Sequence, residues 1–116
     1  MLSQLVDKQG TYCVSLSNAE GKAMQALRQK MISTPWAEER NKKRTMFFLR
    51  RGDVHRSLEA VLLKQLVFMA RPQRVLEVGM FVGYGAAAML EGSPTTQAVS
   101  LEIDPYLETW LSSCLK

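Results

Sequence analysis

Leu58, Val61, Leu62, Gln65, Leu66 and Met69 fall at i, i+3, i+4, i+7, i+8 and i+11. That is the longest helical stripe in the chain, and it predicts a helix that buries this face. Asp53 is the expected N-cap and Arg71-Pro72 the stop. Upstream, Ala23, Met24, Leu27 and Met31 repeat with the same period behind Ser17 and Glu20, a capping-box pair. A helix over residues 18–31 follows. Thr34-Pro35 reads as an N-cap and a first-turn proline for a short helix beginning near Trp36. Downstream the period changes. Residues 75–78 and 98–103 are short apolar runs bounded by turn formers and read as strands. Between them lie a glycine turn (Gly79, Gly83, Gly85), a short apolar helix through Leu90, and a turn from Gly92 to Thr96. Asp104-Pro105 opens a last helix carrying Leu107, Trp110, Leu111 and Leu115. The order is helices first, then β-α-β-α.

A chain of 116 residues, 47% hydrophobic and 22% charged, has the composition of a single globular unit. The net charge of +4 is unevenly placed, because Arg40, Lys42, Lys43, Arg44, Arg50, Arg51 and Arg56 crowd one stretch. Such a stretch is expected to be a solvated face more often than a nucleic-acid contact. His55 follows the expected N-cap and reads as a solvated first-turn residue. Cys13 and Cys114 lack metal-type spacing and read as free thiols. Residues 1–10 contain Asp7 and no continuous apolar region, so no signal or transit peptide is expected. The apolar runs are too interrupted to span a bilayer. A cytoplasmic protein without membrane contact is the expectation.

Chemistry points to residues 75–104. A strand, a glycine turn, a helix and a second strand ending in an acid form a unit that holds nucleoside-type cofactors. The glycines allow close backbone approach, the helix amino end offers free N–H groups to an anion, and the acid accepts from ribose hydroxyls. The residues read Leu76-Glu77-Val78-Gly79-Met80-Phe81-Val82-Gly83-Tyr84-Gly85, then Ala86-Ala87-Ala88-Met89, and later Leu101-Glu102-Ile103-Asp104-Pro105. They resemble the S-adenosylmethionine-dependent O-methyltransferases of the caffeoyl-CoA and catechol type, over roughly residues 53–116.

The resemblance implies an α/β fold in which helices over 1–52 precede the first β-α-β-α part of a Rossmann-like, doubly wound domain over 53–116. Two parallel strands alone would both be edges, so the pattern is that of such a domain cut partway. By the same resemblance, Glu77, Gly79 and Met80 line the methionine end of S-adenosylmethionine, Glu102 binds the ribose hydroxyls bidentately, and Ile103 lies against adenine. Gly85 stands where the family carries a serine, so its backbone N–H alone would meet the cofactor carboxylate. The implied reaction is methyl transfer to a hydroxyl of a small catechol-like acceptor. A divalent cation such as magnesium assists in full-length members, where a homodimer is also open. The metal ligands and the assisting lysine follow later strands in the family, so this chain is expected to show no turnover alone.

Two rival readings remain at this level. One is a half-domain of an NAD(P)-dependent oxidoreductase, against which the glycines stand at G-x-x-x-G-x-G. The other is a non-enzymatic module that binds RNA or a protein through the basic stretch.

Overall fold

The computed structural model describes residues 2–50, 53 and 57–115, with the backbone alone for 2–7. Arg51, Gly52, His55 and Arg56 lie outside the described residues, and with them part of the basic stretch and the reading of His55. The element order is α1 (Leu2–Ser15), α2 (Lys22–Ser33), α3 (Trp36–Asn41), α4 (Ser57–Ala70), β1 (Arg74–Val78), α5 (Tyr84–Gly92), β2 (Gln97–Leu101) and α6 (Pro105–Cys114). The chain is thus a mixed α/β structure with one two-stranded parallel sheet among the described residues. Among those residues no helix is long and apolar enough to cross a membrane.

The carboxyl-terminal half follows its sequence pattern closely. β1 pairs with β2 in parallel, from Arg74 opposite Gln97 to Val78 opposite Leu101. The Thr96 hydroxyl donates to the Pro72 carbonyl at 2.6 Å and Gln97 N–H to the Gln73 carbonyl at 2.9 Å, which fixes where the pairing begins. α6 starts where Asp104 predicts, with the carboxylate accepting the Tyr106 N–H at 3.1 Å and Pro105 in the first turn.

The amino-terminal half departs from it. α1 forms where hydrophobic periodicity gave no signal. α2 begins at Lys22 and not at residue 18, and Ser17 does not cap it; its N-cap is Gly21, with no side-chain hydrogen bond. Glu20 is drawn elsewhere, to the Arg28 guanidinium at 2.6 Å and the Tyr84 hydroxyl. Thr34 closes α2 and does not open α3, since its N–H and hydroxyl both donate to the Lys30 carbonyl. Asp53 accepts the Arg50 N–H at 2.7 Å, and its expected capping of α4 falls on residues 54–56, outside the described residues.

The burial of α4 is a further correction. Leu62, Leu66 and Met69, expected inside, are 59%, 48% and 69% exposed, while Ala60 and Val67 are buried. α5 explains the choice: its inward face is Tyr84, Gly85, Ala88, Met89 and Gly92, mostly small. Small residues let the two helices approach closely, and Ala60 permits that where leucine would not. Gly92, expected in a turn, is the last residue of α5 and lies against the backbone of α4.

The core joins both halves. Met24, Leu27, Met31 and Trp36 cluster with Ala60, Val82, Tyr84, Ala88, Leu107 and Trp110. The Trp36 ring lies 5.6 Å from both Trp110 and Phe81, centroid to centroid. Both indoles are satisfied, Trp36 Nε1 by the Met31 carbonyl and Trp110 Nε1 by the Thr34 hydroxyl, each at 3.0 Å.

Tyr84, 1% exposed, carries a testable consequence. Burial pushes its phenol up from the ordinary value, and donation to the Glu20 carboxylate pushes it further. Above about pH 10 the unfolded phenol loses its proton while the folded one keeps it, so stability must fall as pH rises. The melting temperature of the wild type is expected to drop more steeply above that pH than that of Tyr84→Phe. Equal slopes in the two thermal melts would exclude this linkage.

Candidate functional site

The carboxyl ends of β1 and β2 meet the glycine turn, and backbone conformation explains the turn. Gly79 has φ 92° and Gly83 φ 75°, both in the left-handed region that glycine enters without cost. Phe81, between them, is held at φ 49°. A side chain at Gly79 would meet nothing within 4 Å, so the backbone there is bare to solvent.

The turn is tied to β2 at three points. Gly79 and Met80 N–H groups both donate to the Leu101 carbonyl, at 2.9 and 3.1 Å. Phe81 N–H donates to Glu102 Oε2 at 2.7 Å. The other Glu102 oxygen, Oε1, accepts from Ile103 N–H at 2.8 Å and Asp104 N–H at 2.9 Å. A carboxylate offers about four lone-pair directions. Among the described contacts three are taken, which leaves one on Oε2.

Glu102 is half-buried at the end of β2, and Gly79 is exposed at the end of β1. Met80 is half-buried and packs against the core. Gly85 is buried in the first turn of α5, whose N-cap, Gly83, brings no side-chain hydrogen bond. First-turn amides have no partner within their own helix. Ile103 is 69% exposed. Glu77, half-buried next to the end of β1, accepts the Ser100 hydroxyl at 2.6 Å.

Sequence reasoning missed the support beneath the site. Asp104, fully buried, accepts the Met46 N–H at 2.7 Å besides capping α6, and so fastens the basic segment to the end of β2. Glu39 accepts from the Tyr106 hydroxyl at 2.6 Å and Arg44 at 3.0 Å, with Lys42 at 3.6 Å. The Tyr106 hydrogen bond, then Arg44, hold the Glu39 carboxyl below its usual value. Burial and the bond to Glu39 push the Tyr106 phenol up. Two of the basic residues, Lys42 and Arg44, therefore face acids of their own chain. The sequence signal was present in Glu38-Glu39 beside the basic run, but nothing local pointed to Tyr106.

A groove of about 840 Å³ runs between α2, α5 and α6, and Met80, Gly83 and Ser100 are among the residues that line it. Among the described residues no three His, Cys, Asp or Glu side chains converge. Comparison with protein families, with curated proteins and with solved structures finds no match.

Proposed function

We propose that the chain is the cofactor-holding part of an S-adenosylmethionine-dependent O-methyltransferase of Rossmann-like type. The observation that carries the reading is Glu102 at the carboxyl end of β2, hydrogen-bonded to the turn that leads from β1 into α5. A parallel strand pair, a positive-φ glycine at the crossing point and an acid at the second strand end are what a nucleoside ligand requires. The bare backbone at Gly79 suits close approach, and the first-turn amides of α5, Gly85 among them, suit the ligand carboxylate. Ile103 would lie against adenine. Glu102 would take one ribose hydroxyl on its remaining acceptor direction, and a second only by releasing Phe81. Glu77, one oxygen of which accepts the Ser100 hydroxyl, would line the methionine end.

The bound sulfonium would supply an activated methyl group. The chain's residues in this reading bind and orient it, and among the described residues none is assigned the deprotonation of an acceptor. Turnover of a catechol-like acceptor, with or without magnesium, is therefore not expected from the 116-residue chain.

Calorimetry with S-adenosylhomocysteine tests the reading. The wild type is expected to bind, and Glu102→Ala to weaken binding about 10- to 100-fold through the lost charge-assisted hydrogen bond. Heat with NAD and none with S-adenosylhomocysteine would replace this reading by the oxidoreductase one. Ordinary methyl transfer by the purified chain would overturn the assignment of the chemistry to elements outside it.

A further inference from the structure

The amino end of the sheet, about 13 Å of strand away from the glycine turn, carries a second concavity. It measures about 450 Å³, within the range of small-molecule sites, and is lined by Arg71, Pro72, Gln73, Arg74, Thr95 and Gln97. Hydrogen bonds fix its frame. Arg71 closes α4 with its N–H on the Val67 carbonyl at 2.9 Å, and the bonds from Thr96 to Pro72 and from Gln97 to Gln73 hold the two sides together. Arg74 and Gln97 are direct partners across the strands. Arg71 keeps φ 45°, a left-handed backbone that helix ends usually give to glycine. Apart from Pro72, every lining side chain offers a donor, and none is acidic. The two guanidinium groups and the Gln73 and Gln97 amides have no side-chain partner among the described residues. A single surface arginine is ordinarily solvated. Two that share one hollow without an acid raise its potential and draw an anion.

We propose that this hollow binds a diphosphate group, free or carried by a small molecule. A guanidinium fork matches a pair of phosphate oxygens, and Arg71 and Arg74 together suit two linked phosphates better than one carboxylate. The Gln73 and Gln97 amides and the Thr95 hydroxyl supply neutral donors for the remaining oxygens. The extent of positive charge sets the size of the ligand. Beyond Arg74 the next side chains on the same side of β1 are Leu76 and Val78, both apolar. The cationic stretch around Lys42–Arg44 belongs to the opposite end of β2, where Asp104 fastens the neighbouring Met46. A nucleic-acid strand would therefore meet one pair of cations and then apolar surface, whereas a small anion is fully served. Nucleoside ligands bind at the carboxyl ends of parallel strands. This site lies at the amino ends, so it stands whether or not the cofactor reading holds.

Calorimetric titration of the full chain with inorganic diphosphate, at about 0.15 M salt, is the test. The wild type should give saturable one-to-one heat and bind inorganic phosphate more weakly. Arg71→Gly removes one guanidinium and gives the helix end the residue it favours, so the fold is kept. Arg74→Gln removes the other and leaves the strand its length. Each should weaken diphosphate binding roughly tenfold or more, and the double variant should give no saturable heat. Lys22→Gln, exposed on α2, should bind as the wild type does. Arg71→Gly decides the matter if circular dichroism shows Arg74→Gln misfolded. Uridine diphosphate, titrated in parallel, separates the two sources: tighter binding than the bare anion, lost with the same arginines, marks an ester as the ligand. A wild type without saturable heat, or affinity indifferent to both arginine changes, would overturn the proposal. So would a short single-stranded RNA held more tightly than diphosphate by the same two residues.

Discussion

Gly92→Ala is expected to cost the chain about 3 kcal/mol or more, enough to leave a chain of this size largely unfolded under mild denaturant. A Cβ at position 92 would lie 2.3 Å from the Lys64 carbonyl oxygen and 3.2–3.3 Å from its carbonyl carbon and Cα. These are backbone atoms in the middle of α4, so no side-chain rotation relieves the overlap. α4 and α5 would have to part by about an ångström, and tightly packed interiors resist such shifts. Ala60, Val67 and Ala88, buried around this crossing, would lose contact together. Gly10→Ala makes the matched comparison. Position 10 lies inside α1 with nothing within 4 Å of a new Cβ. There the same change should stabilise by up to about 1 kcal/mol through helix propensity alone. Urea denaturation of both variants measures the difference, and similar midpoints for the two would mean that the crossing is looser than described.

Asp104→Ala is expected to cost about 2–4 kcal/mol. Its side chain is fully buried, and each oxygen has a separate task. Oδ1 caps α6 through Tyr106 N–H, which is worth about 0.5–2 kcal/mol. Oδ2 satisfies the Met46 N–H at 2.7 Å, and an amide left without its acceptor costs about 1–3 kcal/mol. Asp104→Asn separates the two. Asparagine caps helices as well as aspartate does, but its amide has one oxygen, so either the cap or Met46 loses its acceptor. The asparagine variant should therefore fall about midway between alanine and wild type in chemical denaturation. Hydrogen exchange at the Met46 amide should accelerate in the alanine variant. An unchanged exchange rate there would show that the basic segment does not depend on Asp104.

What the sequence made legible was local. β1, the glycine turn, α5, β2 and the Asp104 cap all rest on residues within a few positions of one another, and their bounds came within two residues of those observed. The failures share a different cause. Ser17 and Glu20 satisfy a capping pattern, yet Glu20 is claimed by Tyr84, 64 positions along the chain. Thr34 fits an N-cap before a proline, yet its hydroxyl serves the Lys30 carbonyl and the Trp110 indole. The long stripe on α4 pointed to the wrong face because the partner helix offers glycine and alanine, which reward closeness over apolar area. At the candidate site, Glu102 and the glycines could be named from spacing. That three amides already occupy most of the Glu102 carboxylate could not be foreseen, because pattern carries no information on competition for acceptors.

The shared core has a practical corollary for dissection. Met24, Met31 and Trp36, from the first 52 residues, shield Tyr84, Leu107 and Trp110 from the second portion. Clipping the chain at residue 52 would strip indole and phenol surfaces bare and release Glu20 from the phenol it holds. Ligand titrations on such a trimmed polypeptide would interrogate a collapsed or clumped species, so the leading segment belongs in every preparation.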